Sequence, residues 1–437
     1  MFQKQTQIII VKIKTDFMKN NIFTFLLLFA VSRLFAQQIP VIIQDGTFHL
    51  GNGQIMENGY LVMLEGRIAY VGKTLPAFYK NAKVIQAAGK HIYPGFICMN
   101  TYVGLNEIDA VRATRDYQEV GIFNPNARAL IAYNTDSKII PTIRFNGITH
   151  VQAVPQGGVI SGSSSVMKTN GWNWEDAAAL ADDGIHLNWP EHYIQTGWWA
   201  EPGDIQKTKT REQVDDIADF FRESKRYLML KTPDKANLRY ESMRGVFNGT
   251  KNVYVHINSA KGILSAIQFF KNYPGIKWVL MGASDAWKVA DLIKENNIPV
   301  VLNQLHRLPN RNADDVDLPF KLPYLLMQKG IQVAIAHGGS WESRNVMFNA
   351  GTAAANGLTK EQALMCITSI PAKIMGLNDA GILEQGKQAS IIISEGDALD
   401  MRTNKIEWMF INGEDVNNKN QQVELYEKYM NKYGLKP

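Results

Sequence analysis

The sequence predicts an α/β fold: a (β/α)8 TIM-like barrel joined to a composite β-sandwich that both chain ends build. Three patterns carry this reading. Short alternating strands with glycine turns fill the stretch before residue 94, and a second set returns near the C-terminus. Between them, apolar runs alternate with helical segments at the spacing of strand–helix–strand units, which implies parallel pairing with helices outside. The chain has 437 residues, 46% hydrophobic and 20% charged, so it is globular and long enough for a barrel plus a smaller body. Its net charge of +5 is spread without runs of one sign. That gives no argument for a nucleic-acid or anionic-membrane surface as the expected partner.

Each segment has its own signal. "MKNNIFTFLLLFAVSRLFAQQ", from Met18, has a positive start at Lys19 and a short apolar run, Ile22 to Val31. It reads as a signal peptide over 1–36, cut before Gln37, with Met18 the true start. An uncleaved anchor is the alternative. The expected location is periplasmic or secreted. Cys98 and Cys366 are far apart in apolar surroundings and read as separate buried thiols. Residues 37–93 hold "PVIIQDGTFHLGNG", "GYLVMLEGRIAYVG" and "AKVIQAAGKHIYPG", the first part of the sandwich. Residues 94–376 form the barrel. Its strands are "GFICM", "GITHVQAV", "NVYVHIN", "KWVLMG", "IPVVLNQ" and "IQVAIAHGG", and the third and fourth are undefined within 155–250. "TKEQALMCITSIPAKIMG" reads as the last barrel helix, capped at Thr359 and stopped at Gly376. Residues 377–413 return to the sandwich, and 414–437 form a helical tail with Leu425 and Tyr429 four residues apart. That tail could dock on the sandwich or on another chain.

"LEGRIAYVG" with "VIQAAGKHIYPGFI", and later "NAGTAAANGLTKEQALMCITSIPAKIMGLNDAGILEQGKQASIII", resemble the amidohydrolase superfamily, particularly its secreted, imidazolonepropionase-like branch. The resemblance covers roughly residues 39–413. It implies hydrolysis of non-peptide carbon–nitrogen bonds at a metal centre in the barrel mouth. The metal would lower the pKa of bound water from about 15.7 toward about 7. The resemblance implies ligands at a His-x-His pair after strand 1, at histidines after strands 5 and 6, and at an aspartate after strand 8. Here the pair reads Asn100 and Tyr102, His256 keeps its place, strand 6 offers Met281 or Gly282, and His337 stands for the aspartate. No lysine or glutamate matches the strand 4 bridge that some members carry.

Two functional readings follow. The first is a descendant with a degraded metal site and weak, altered or absent hydrolase activity. It would bind a small-molecule ligand through Asn100 and Tyr102, form a homo-oligomer or pair with another amidohydrolase-like chain, and need no cofactor. The second is an active hydrolase of cyclic amides or amide-like bonds. It would use a rebuilt His256, His306 and His337 site holding zinc or another divalent metal. Tyr102 or His337 could also serve as an acid–base group. For each histidine the alternative is a hydrogen-bonded strand-end ring, and Asn100 and Tyr102 could equally plug vacated space. "QAVPQGGVISGSSSV" (152–166) reads as a polar loop over the mouth and lacks the lysine of a nucleotide P-loop. Trp172 and Trp174 lie in a tryptophan-rich stretch that could stack a ligand or simply cover the mouth. No Gly-x-Ser-x-Gly elbow or cysteine nucleophile is present.

Overall fold

The structure, a computed structural model, describes residues 39–79, 82–192, 197–230, 233, 235–416 and 419–435. The expected signal segment 1–36 lies outside them. Among the described residues no helix is long and apolar enough to cross a membrane.

Eight strands form a nearly closed barrel sheet in sequential order. They are β1 Phe96–Thr101, β2 Ile148–Ala153, β3 Ile160–Lys168, β4 Ala178–Asn188, β5 Asn252–Ile257, β6 Lys277–Gly282, β7 Val300–Leu302 and β8 Val333–Ile335. Six lie where apolar runs placed them. The all-parallel expectation needs correction, because β3 runs antiparallel to both β2 and β4. The link 154–159 is too short for the crossover of a dozen or more residues that a parallel partner requires. It turns through Gly157 and Gly158, both at positive φ. The glycine–serine stretch is therefore largely a buried wall strand rather than a loop over the mouth. Its hydroxyls are satisfied by neighbours: Ser163 donates to the Pro125 carbonyl at 3.0 Å, and Ser165 Oγ accepts from the Asp182 N–H at 2.9 Å.

The seam between β8 and β1 is bridged by backbone from outside the sheet. The Ile335 N–H donates to the Cys366 carbonyl at 2.9 Å, and the Ile97 N–H to the Ile367 carbonyl at 2.8 Å. This splits the expected last helix into Lys360–Met365 and Ser369–Met375, since those two carbonyls serve the seam instead of a helix. The Thr359–Gln362 capping box and the left-handed Gly376 stop fall where the sequence placed them.

Two further sheets share one apolar cluster that includes Phe48, Leu61, Ile68, Ile391 and Phe410. The first sheet joins Arg67–Gly72, Tyr60–Leu64, Val41–Gln44 and Lys83–Gln86. The second draws on both chain ends. His91–Pro94 pairs antiparallel with Ile391–Ser394, so early and late segments share one sheet.

Candidate functional site

The C-terminal ends of the parallel strands define the mouth, where barrels of this type place chemistry on strand ends and loops. Asn100, at the end of β1, is buried and adopts φ 55°. Asparagine tolerates this left-handed conformation better than most residues. Its backbone N–H donates to Gln152 Oε1 at 3.2 Å and its side-chain amide to Asn303 Oδ1 at 3.0 Å. Asn100 Oδ1 is buried without a partner among the described residues.

Below Asn100 a polar network fills the barrel interior. The Gln152 amide donates to Asp183 Oδ2 at 2.8 Å, Tyr254 O–H to the same oxygen at 2.6 Å, and Ser164 O–H to Oδ1 at 2.8 Å. Burial raises the Asp183 pKa, and these three donors only partly offset it. Burial also pushes the Tyr254 phenol well above its usual range.

His186 stacks on Tyr254 with ring centroids 4.7 Å apart, and its Nδ1 lies 2.8 Å from His256 Nε2. Burial holds both imidazoles neutral: the His256 pKa falls to about 4, and that of His186 lies well below its ordinary value. One ring therefore donates and the other accepts. His186 Nε2 is buried without a partner among the described residues, while His256 is half-buried at the rim.

His256 is thus brought together with His186, a residue the sequence reading missed. The alternation "DGIHLN" on a buried strand was the available signal, placing Asp183 and His186 in the wall. His256, His306 and His337 are not gathered into one group. His306 Nε2 bonds Thr352 Oγ1 at 2.7 Å, and His337 Nδ1 donates to the Gly338 carbonyl at 3.0 Å. Burial lowers both of their pKa values, and the nearby His337 lowers that of His306 further. At strand 6, Met281 is buried beside His256, and Gly282 adopts φ 84°. A Cβ on Gly282 would lie 2.8 Å from Asn258 Oδ1, so no side chain fits there without a shift.

Among the described residues no group of three or more His, Cys, Asp or Glu could hold a metal ion. The donor set does not match a divalent centre of the implied kind. Tyr102 is half-buried against Tyr117 with centroids 5.0 Å apart, and burial raises its pKa further from neutrality.

Trp172 and Trp174 are not at the mouth. The antiparallel β3 carries the chain down the wall, so the β3–β4 link 169–177 sits at the opposite end, next to the start of β2. Trp174 packs on the core, and Trp172 is 90% exposed.

No protein-family model matches the chain, and no curated protein matches it. Solved structures do resemble it. An amidohydrolase from Thermotoga maritima superposes with a TM-score of 0.75 at 22% identity, covering 87% of this chain and 100% of that one. A prolidase complexed with N-methylphosphonate-L-proline gives 0.55 at 15%, covering 87% and 100%. An adenosine deaminase from Xanthomonas campestris, with bound zinc, gives 0.51 at 13%, covering 90% and 97%. At these identities the likeness establishes the fold: a nearly closed eight-strand barrel of the kind found in amidohydrolase-superfamily structures.

Proposed function

We propose that this chain is an amidohydrolase-fold protein whose mouth recognises a small, uncharged polar ligand, with weak, altered or absent hydrolase activity. One observation carries the reading. Asn100 is fixed at its backbone by Gln152 and at its side chain by Asn303, which leaves its buried Oδ1 ready to accept a hydrogen bond. The His186–His256 imidazole pair is neutral, so the site presents amide and ring dipoles rather than charge. A cyclic amide or hydantoin, with an N–H beside a carbonyl, is the chemical class that such an edge complements.

The segment before residue 37, with its apolar run, supports export and a place in the secreted, imidazolonepropionase-like branch. An active hydrolase with a divalent metal at a rebuilt histidine site is the competing reading. The neighbouring placement of His306 and His337 favours it in part. Calorimetric titration of metal-free protein with hydantoin and a simple lactam separates the two. Binding without metal that is lost in Asn100→Ala supports recognition. Turnover that requires added zinc or manganese and disappears in His256→Ala sinks it.

A further inference from the structure

The end of the barrel opposite the mouth carries a cavity of about 570 Å3. Gly330, Ile331 and Gln332, which line it, immediately precede β8, so it lies at the N-terminal end of the strands. The helix Ser369–Met375 and the link 377–382 that leads back to the sheets supply much of its lining. The volume falls in the roughly 300–1,000 Å3 range of small-molecule sites and far exceeds the about 30 Å3 that one water occupies. Met327, Ile331, Met365, Ile370, Leu377 and Ile382 make the lining largely apolar. Water gains little against such a surface, so an apolar body is the occupant that its chemistry favours.

The polar groups define the other end of that occupant. Ser369 and Lys373 both line the cavity, four residues apart and so on one face of their helix. Ser369 Oγ is buried without a partner among the described residues, a costly state for a hydroxyl. A hydroxyl turns by a change of χ1 rotamer, so an acceptor inside the cavity satisfies it. Lys373 is exposed at the rim, and no carboxylate among the described residues pairs with it. It is the only charged residue in the described lining. Asp379, between the lining residues Asn378 and Ala380, is directed to Arg67 at 3.4 Å instead. One hydroxyl donor, one unpaired cation and no acid complement an anion with several acceptor lone pairs.

We propose that this cavity binds a small amphiphilic monocarboxylate, with its apolar body against the methionine and isoleucine lining and its carboxylate at Ser369 and Lys373. The inference does not depend on what the mouth binds. Titration of the full chain, labelled with 13C at its methionine methyl groups, with sodium octanoate tests it. Octanoate is expected to shift the Met327 and Met365 resonances, assigned through Met327→Leu and Met365→Leu. Affinity should rise about fourfold per methylene from butanoate to octanoate. Ser369→Ala should weaken octanoate about tenfold. Lys373→Gln should weaken it severalfold, and Lys373→Arg should retain it. Both weakened variants should keep the wild-type urea midpoint, because the Ser369 hydroxyl bonds nothing and Lys373 is exposed. No shift at either methionine with millimolar octanoate overturns the proposal. Octylamine or octanol binding as tightly as octanoate overturns it too, since the cavity would then select no carboxylate. Wild-type affinity for octanoate in Ser369→Ala or in Lys373→Gln removes the head-group site and overturns it. Displacement of octanoate by hydantoin would place the ligand in the mouth and overturn it equally.

Discussion

Asp183 sits inside the barrel wall with three donors on its two oxygens, and among the described residues no cation bonds it. A buried carboxylate is tolerated when its lone pairs are satisfied, and the partners left behind suffer when it is removed. Asp183→Ala would strand the Tyr254 hydroxyl, the Ser164 hydroxyl and the Gln152 amide. Each stranded group costs about 1–3 kcal/mol, so a loss of several kcal/mol is expected in urea unfolding. Asp183→Asn keeps two acceptor lone pairs and should lose less. Equal midpoints for wild type and Asp183→Ala would show that the network contributes nothing to stability.

His150, buried in β2, makes a residue-scale prediction about pH. Burial lowers its pKa from 6.5 to about 4. The unfolded chain takes up the proton first as pH falls, so the unfolded state gains. The contribution of neutral His150 is complete above pH 6.5 and declines as pH drops toward 4, by about 3 kcal/mol at about 1.4 kcal/mol per pH unit. Urea midpoints from pH 7 to pH 4 should fall less steeply in His150→Leu than in wild type. Parallel slopes would remove His150 from the acid sensitivity of the fold.

At the scale of elements, β3 decides where function sits. Because it descends the wall, it puts Trp172 and Trp174 at the end away from Asn100 and His256. Trp172→Ala should change stability by less than about 0.5 kcal/mol, as exposed substitutions do, and leave hydantoin binding at the mouth unaltered. A binding defect in that variant would mean that the hairpin communicates with the mouth. β3 also marks the limit of what the sequence discloses. The strands at 96, 148, 252, 277, 300 and 333 are apolar runs, most of them followed by helices, and burial in a barrel wall demands that composition locally. "GGVISGSSSV" folds as a strand because its hydroxyls find Pro125, Asp182 and Asp183, partners that no local pattern announces. The same holds for the seam. "ALMCITSIPAKIM" has the periodicity of one helix, but Pro371 has no N–H for the Ile367 carbonyl, and that carbonyl and its neighbour at Cys366 accept from Ile97 and Ile335 across the seam. At the site, the sequence singles out Asn100 and His256 through the family resemblance. Their partners Gln152 and His186 lie on other strands, and Asn303 just past β7, and they become partners only once the barrel closes.

At the scale of the whole molecule, one helix turn ties the barrel to the sheet that both chain ends build. Lys360 reaches Asp397 at 2.6 Å, and its side chain is 71% exposed. The next residue, Glu361, turns inward, and its Oε1 accepts from His49 Nδ1 at 2.6 Å with both side chains nearly covered. His49 Nε2 in turn meets His91 Nδ1 at 2.9 Å, and Tyr93 stacks on His49 at 4.3 Å. The two ties should therefore be very unequal. An exposed ion pair contributes about 0–1 kcal/mol, whereas a buried hydrogen bond to a carboxylate is worth about 1.5–3 kcal/mol. Lys360→Ala should barely move the calorimetric transition. Glu361→Ala should lower it by several degrees and, since the lost contact lies between the two bodies, broaden or split it as the sheets unfold ahead of the barrel. His49→Ala in the Glu361→Ala background should add little, because the two side chains act through one contact. If Glu361→Ala and Lys360→Ala shift the transition equally, the buried carboxylate–imidazole chain is not what couples the sheets to the barrel. The link would then rest on the packing of Tyr93 and Ile392 in the barrel's own apolar cluster, beside Phe96 and Ile97.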